Sequence, residues 1–144
     1  MRHDLERLVS EHDALGRLAD NLVGAVNAAP RDLPEIMNAR SQLAVALDEH
    51  LGKEDGFLNE QSLRETETDF ASALERFQSD FAMLREDWEI YLAEWNGDII
   101  AHDFDQFRNT TVEIIARLTA RMQHENTLLY PLALQQGRIK LRAA

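Results

Sequence analysis

The sequence predicts an all-α protein, an antiparallel up-down-up-down four-helix bundle, and three observations support that fold class. Apolar residues recur at three- and four-residue spacing along four long stretches, as they do on the buried faces of amphipathic helices. Turn-forming residues separate these stretches, and short connections make consecutive helices antiparallel neighbours. Only three prolines and six glycines occur among 144 residues, too few for the many turns of a β protein.

Length, charge and cysteine content limit the possible functions. A chain of 144 residues suffices for a single domain with one core. Its net charge of −11 argues against nucleic acid and anionic membranes as partners. Because cysteine is absent, thiol chemistry is excluded, and a metal site would need histidine and carboxylate ligands. With no apolar run near the ~18–20 residues of a membrane span and no signal peptide, we expect a soluble, cytoplasmic protein.

The first helix is predicted from about Asp4 to Ala28, and it ends before Pro30 because the residue preceding a proline avoids helical backbone angles. The positions at three- and four-residue spacing, here called the seam, form its buried face. One strongly polar side chain, His12, interrupts an otherwise apolar seam of Leu5, Leu8, Leu15, Ala19, Leu22 and Val26.

The second helix is predicted to start after Asp32, an N-cap residue followed by Glu35 at the spacing of a capping box. It is expected to reach about Asn59. An imidazole and a carboxylate lie one turn apart on its apolar face. The full seam is Ile36, Leu43, Leu47, His50, Glu54 and Phe57.

The third helix is predicted to follow a polar, acidic loop over residues Asn59 to Thr68. Its seam is strongly aromatic and contains neither histidine nor carboxylate: Phe70, Leu74, Phe77, Phe81, Leu84, Trp88, Tyr91 and Trp95. We interpret most of this seam as ordinary core. Its last aromatic residues, Trp88, Tyr91 and Trp95, could instead cover the end of the bundle or form a subunit contact.

The fourth helix is predicted to begin after the turn signal Asn96-Gly97, with Asp98 as its cap. Pro131 is expected to bend or loosen its last turns. The helix should stop near Gly137, so that residues 137–144 form a frayed tail. Its seam is Phe104, Phe107, Thr111, Ile114, Leu118, Arg121, Glu125, Leu128 and Leu132.

Four polar seam residues are predicted to meet at one level of the bundle. Counting along antiparallel helices from their connections places His12 level with His50, and Glu125 at about the same height. Burying such groups is costly unless they are paired or bind a cation. Imidazole and carboxylate groups in a bundle core suit iron, zinc or manganese. The candidate metal ligands are therefore His12, His50, Glu54 and Glu125.

A faint internal repeat relates the second and fourth helices. The segment His50-Leu51-Gly52-Lys53-Glu54-Asp55 aligns with Arg121-Met122-Gln123-His124-Glu125-Asn126, so Arg121 stands where the histidine would recur. Arginine is always charged and has no lone pair for a metal. If it turns inward it must meet a carboxylate, and if it turns outward a second metal lacks a ligand. In either case we predict one metal or none per chain.

These residues resemble those of the hemerythrin-like, or HHE cation-binding, family over nearly the whole chain. The segments that carry the resemblance are Glu11-His12-Asp13, His50-x-x-x-Glu54-Asp55, and Glu125-Asn126 followed by Leu129-Tyr130-Pro131. The resemblance implies a four-helix bundle with a non-haem iron site, usually dinuclear, that serves dioxygen binding, sensing, or iron and redox handling. It implies metal-ligand roles for His12, His50, Glu54 and Glu125, with dioxygen or another small diatomic molecule as a possible ligand. Arg121 and the histidine-free third helix depart from the family pattern.

The sequence also suggests roles for Tyr130 and for the three histidines outside the candidate ligand set, two of these residues with alternatives. His124 borders the seam and could be a fifth ligand or a half-exposed surface residue. Tyr130 could close the end of the site or pack as an ordinary core residue. His3 is expected to be a solvated terminal residue, and His102 to lie near the opposite end of the bundle, because 23 residues separate it from Glu125.

The sequence leaves two functional classes open and disfavours a third. The first is a metal-dependent binding or sensing protein, with iron or another divalent ion in the bundle. The second is a metal-free structural or regulatory interaction module that keeps the fold. An enzyme such as a di-iron oxidase is disfavoured, because the Glu-x-x-His spacing of ferritin-like sites is absent at the predicted level. No catalytic triad or phosphate-binding glycine loop is evident either.

Overall fold

The computed structural model describes the backbone of residues 2–64 and 68–131 and the side chains of residues 6–55, 72, 75–128 and 130–131. Five α-helices and one π-helical turn account for nearly all of this backbone, and it contains no strand, so the all-α prediction is confirmed. The elements are α1 (Arg2–Asn27), α2 (Leu33–Arg64), α3 (Thr68–Glu94), α4 (Gly97–His102), α5 (Phe104–His124) and the π-helical turn Glu125–Leu129.

The helices pack as a bundle around their predicted seams. Helix α1 contacts α2 and α5, and α3 contacts α2 and α5. Seam positions of α1 and α2 are buried wherever the structure describes their side chains: Leu8, His12, Leu15, Ala19, Leu22, Val26, Ile36, Leu43, Leu47, His50 and Glu54. The predicted seam residues Leu5, Phe57, Phe70 and Leu74 lie outside the described side chains. In the described ranges, none of the helices has both the length and the apolar character needed to cross a bilayer.

Helix α2 is longer than the sequence predicts. Its start is as expected, since the Glu35 amide donates to Asp32 Oδ1 at 3.2 Å. Its end is not, because the helix continues to Arg64, through residues read from sequence as the beginning of a loop. That prediction relied on polarity, but residues 59–64 contain neither glycine nor proline, and polar residues with adequate helix propensity do not end a helix.

The predicted fourth helix begins as two pieces. Helix α4 ends at His102, and Asp103, with φ −140° and ψ 62°, separates it from α5. The predicted cap at Asp98 is wrong, because Asn96 Oδ1 accepts from the Asp98 and Ile99 amides at 3.1 Å each. The break lets Ile100, which was not predicted as core, and the side chain of Phe104 both reach the interior.

The end of α5 corrects the predicted seam. Leu128, predicted to be inside, is 55% exposed, whereas Tyr130 is only 2% exposed. The π-helical turn explains the exchange, since the Tyr130 amide bonds to the Glu125 carbonyl five residues back and so shifts the register. Pro131 follows directly and lacks the N–H that an α-helical bond to Thr127 would need, which agrees with the loosened turn expected there. Leu132, Gly137 and the predicted tail 137–144 lie outside the described residues.

Aromatic residues of α3 and α5 fill the half of the bundle away from the polar seam residues. Tyr91 stacks on Trp88 at 5.4 Å and on Phe107 at 6.1 Å between ring centroids. Trp88 and Tyr91 are buried, so the core interpretation is confirmed for both, while Trp95 is half-buried and packs on Phe107 at 5.6 Å. This apolar half anchors the helices that carry the polar residues.

Candidate metal centre

The four polar seam residues converge in the bundle interior. His12 comes from α1, His50 and Glu54 from α2, and Glu125 from the first position of the π-helical turn. Each is 2–4% exposed, and one ligand atom from each lies within 4.8 Å of all the others. The predicted convergence is confirmed, and the four residues are called the His/Glu cluster below.

Short contacts join the members of the His/Glu cluster. The Nε2 atoms of His12 and His50 are 3.0 Å apart. His12 Nε2 also lies 3.0 Å from Glu125 Oε1, and His50 Nε2 lies 3.1 Å from Glu54 Oε2. The nitrogen and oxygen atoms best suited to hold a cation therefore face one another in one small volume.

Outer partners orient both imidazole rings. His50 Nδ1 donates to Glu11 Oε1 at 2.8 Å, and Lys53 Nζ holds the other oxygen of Glu11 at 2.8 Å. His12 Nδ1 donates to Asn126 Oδ1, also at 2.8 Å. Because each Nδ1 donates to its outer partner, each Nε2 can offer its lone pair to a cation once it has lost its own proton, which is the usual arrangement of a metal-binding histidine.

Tyr130 closes one side of the cluster. Its hydroxyl donates to Glu54 Oε2 at 3.0 Å, and its ring lies on that of His12 with 5.8 Å between centroids. Tyr130 is buried as a core residue would be, and its contact with Glu54 agrees with the site-closing role considered from sequence as well. The hydroxyl gives the buried Glu54 carboxylate a hydrogen bond in place of one that it would make to water in the unfolded chain.

Arg121 turns inward and meets a carboxylate, one of the two outcomes expected from sequence. Its Nε donates to Glu125 Oε2 at 2.7 Å and its Nη1 to the Phe77 carbonyl at 2.6 Å. The guanidinium lies over the Phe77 and Phe81 rings, 5.0 and 4.7 Å from their centroids. A fixed positive charge therefore stands beside the cluster, on the side facing α3.

Burial and mutual contact shift the ionisation of the whole cluster. Burial lowers the pKa of His12, but hydrogen bonds to Glu125 and Glu54 outweigh it and raise that pKa to about 9. The pKa of His50 is also raised, because its bonds to Glu54 and Glu11 outweigh burial. The pKa of Glu125 rises to about 7 through burial and the neighbouring Glu54, whose own pKa is lowered because hydrogen bonds from the histidines outweigh burial. Glu54 thus stays ionised, while Glu125 retains a proton more easily.

The donor set fits a transition-metal ion. Two imidazole nitrogens and two carboxylates suit iron, manganese or zinc, and no thiolate is available to favour a softer ion. Donor atoms that share one ion at about 2.0–2.2 Å lie about 3–3.5 Å from one another. The shortest contacts within the cluster, 3.0 and 3.1 Å, are of that size.

The other histidines whose side chains the structure describes lie outside the cluster. His124 is exposed, which agrees with the surface role rather than a fifth ligand, and His102 is exposed at the end of α4. The side chain of His3 is outside the described residues. Glu11 and Asn126 were not predicted as partners, although each adjoins a candidate ligand in the sequence, and that adjacency was the available signal.

A family comparison agrees with the geometry. The model of the hemerythrin HHE cation binding domain matches residues 3–133, which include the whole His/Glu cluster together with Glu11, Asn126 and Tyr130. No curated protein and no solved structure matches the chain.

Proposed function

The chain belongs to the hemerythrin HHE cation-binding domain family, and on that premise we propose that it binds one non-haem iron ion through His12, His50, Glu54 and Glu125. The proposal rests on one observation, the convergence of two Nε2 atoms and two carboxylates within 4.8 Å in the bundle interior. Zinc and manganese accept the same donors, and the choice of iron follows from the family. We further propose that the protein senses dioxygen or redox state, or handles iron.

The protein's own residues prepare the site for a cation. Glu11 and Asn126 hold the two imidazoles so that both Nε2 atoms face the same volume. Tyr130 holds one oxygen of Glu54 and covers it from the side. When bound, iron would supply a redox couple and an open coordination position for a small ligand.

Arg121 supports a single ion rather than two. Arg121 stands at the position that corresponds to His50 in the internal repeat, and its guanidinium already donates to one oxygen of Glu125. A second cation near Glu125 would face this fixed charge and would find no lone pair there.

A small cavity beside the cluster supports a small ligand. It has a volume of about 20 Å³, and its lining includes His50, Glu54 and Glu125 together with leucines of α1, α2 and α5. A cavity of this size holds about one water molecule, so dioxygen or another diatomic molecule is the size of ligand that fits.

Metal analysis of purified protein tests the proposal. We expect about one iron per chain after expression in iron-supplemented medium, and less than about a tenth as much in His12→Gln, because loss of a ligand or its orientation weakens binding at least that strongly. His102→Gln is the matched control, since it removes an exposed histidine outside the cluster. Wild-type protein that stays metal-free in the presence of iron, zinc and manganese would contradict the proposal.

The second candidate is a metal-free structural or regulatory module, and one observation favours it. Arg121 and the two histidines already satisfy the carboxylates of Glu54 and Glu125 without any ion. For this candidate we expect wild-type protein to keep its thermal midpoint after treatment with a chelator. A large fall in the midpoint that added metal restores would favour the iron site, since a bound ion stabilises only the folded state.

We infer the finer architecture from the same contacts. The connection of residues 28–32 and the packing of α1 against α2 and α5 support an up-down-up-down antiparallel order in which α4 and α5 together form the fourth arm. A single domain and a cytoplasmic location stay predictions from the sequence.

A further inference from the structure

A surface groove lies between α3 and α5, on the side of the bundle where Arg121 is found. Its volume is about 480 Å³, and its walls include Phe77, Phe81, Arg117 and Ala120. The groove is more open to solvent than the cavity of about 20 Å³ beside the His/Glu cluster. The groove and the cavity are lined by different residues, apart from two that line both.

Two side chains line both spaces, Phe81 and Arg121. Among the residues that the structure describes, these two side chains separate the groove from the cavity at the cluster, and we take them as the partition between the two spaces. The guanidinium of Arg121 is fixed by Glu125 and by the Phe77 carbonyl, and the Phe81 ring lies 4.7 Å from it. The ring has no hydrogen bond to hold it, so its rotation is the easier way to join the two spaces.

We propose that the groove between α3 and α5 is the entrance to the His/Glu cluster, and that Phe81 and Arg121 determine the size of the molecule that passes. The inference rests on the proposed function, because the molecules concerned are the small ligands of that site. Molecules of two or three heavy atoms pass when the Phe81 ring moves. Larger molecules enter much more slowly because Arg121 remains bonded on both sides.

The absence of cysteine allows a test that needs no metal. Leu118 is buried and lines the cavity but not the groove, so Leu118→Cys places a single thiol behind the partition. The probe is methyl methanethiosulfonate, a small uncharged thiol reagent. Its adduct adds a methylthio group to the new side chain and has about as many heavy atoms as the leucine removed. The rate of modification, followed by mass spectrometry on metal-free protein, reports access to the cavity.

Opening the partition should accelerate the reaction. We expect Phe81→Ala in the Leu118→Cys background to raise the rate about tenfold or more, since a local opening becomes much more populated. Phe104→Ala is the matched control, because both phenylalanines are 8% exposed and Phe104 lines neither space. Equal acceleration by the two variants would mean entry by general unfolding and would overturn the proposal. If Phe81→Ala does not fold, Phe81→Leu tests the same point with a smaller expected increase.

Blocking the groove should slow the reaction. Ala120 is exposed and lines the groove, so Ala120→Trp should fill it and reduce the rate several-fold in the Phe81→Ala background. Ala116→Trp is the control, since Ala116 is exposed one turn earlier on α5 and does not line the groove. An unchanged rate in Ala120→Trp would show that molecules enter elsewhere. Because no step of this test requires metal, its failure is distinct from failure of the proposed iron site.

Discussion

Two pairs of residues in this protein share the same spacing but differ in chemistry. In the first pair, His50 and Glu54 on α2, the imidazole Nε2 lies 3.1 Å from the carboxylate. In the second pair, Arg121 on α5 donates to Glu125 at 2.7 Å. Both pairs face the same interior volume, yet only the first can offer a lone pair from its basic residue. The spacing therefore places a side chain at the site, and the residue type decides what it offers there. Histidine can give a lone pair to a cation, whereas arginine brings its own positive charge.

The difference extends to the surroundings of each pair. His50 is held by Glu11 of α1, so its ring depends on a charged acceptor that is itself fixed by Lys53. Arg121 instead donates to a main-chain carbonyl of α3, at Phe77. Helix α3 has no histidine among its residues, and the described part of it contributes this carbonyl and the Phe77 and Phe81 rings next to Arg121. The second pair thus ties α3 to the site without adding a ligand.

Replacing His50 by arginine, which makes the first pair like the second, should have the largest effect on metal affinity. We expect His50→Arg to reduce metal affinity by more than about a hundredfold, because a ligand is lost and a second fixed charge enters the site. His50→Gln separates these causes, since it removes the imidazole without adding charge. Competition titration with a chromophoric chelator measures both. Tight binding in His50→Arg would mean that the cluster is not the metal site.

Making the second pair like the first should raise the metal content. We expect Arg121→His to increase bound metal above the one ion per chain proposed for the wild-type protein, because a lone pair replaces a fixed positive charge. Arg117→His, one turn earlier on α5 and paired with Asp87, is the control. Elemental analysis with protein quantification gives the ratio. Wild-type protein that already carries two irons and binds dioxygen reversibly would refute this interpretation of Arg121.

Changing Glu11 or Asn126, the outer partners of the two histidines, should alter the metal affinity by a smaller factor. Glu11→Gln keeps an acceptor for His50 but removes the charge, and we expect metal affinity to fall about 10-fold or somewhat more. Asn126→Asp makes the opposite change, since it gives His12 a charged acceptor, and it should strengthen metal binding. Isothermal titration with zinc follows both changes. Opposite signs are the expected result, and equal losses would mean that both residues act only through packing.

The smallest effect is expected from the tyrosine hydroxyls. Tyr130→Phe removes the bond to the ionised Glu54 and should lower the unfolding free energy of metal-free protein by about 1.5–3 kcal/mol. Tyr91→Phe removes a buried bond between two neutral hydroxyls, to Thr111, and should cost about 1 kcal/mol. Urea denaturation measures the two losses, and metal titration separates them. Only the Tyr130 variant should also change metal affinity, and a similar change in Tyr91→Phe would remove the distinction.

The sequence was sufficient for the buried faces of the long helices and for the convergence of the cluster, because both depend on periodicity. Seam spacing placed His12, His50, Glu54 and Glu125 on buried faces, and counting along the helices brought them to one level. The inward turn of Arg121 was one of two outcomes left open, since a long side chain at a seam edge can reach either the interior or the solvent. The contact of Glu11 with His50 was not predicted, because it joins residues on different helices whose relative rotation no spacing rule supplies.

Local backbone departures were the main source of error. Leu128 was assigned to the interior by extending an α-helical period through residues that form a π-helical turn. The break at Asp103 and the cap at Asn96 were missed for a similar reason, since each depends on a few backbone angles that a regular pattern does not encode. The buried Arg40, whose guanidinium lies 5.4 Å from the centroid of the Tyr91 ring, had no signal in the seam pattern either.

The π-helical turn makes the cover of the site depend on the number of residues between Glu125 and Tyr130. Over five residues an α-helix turns by about 500°, so in a regular α-helix Tyr130 would lie about 140° away from the face of Glu125. The wider π-helical turn instead returns Tyr130 to that face. Inserting one more residue after Glu125 would rotate the tyrosine off the face by about 100° and change the access of water to the cluster, without any substitution among the ligands themselves.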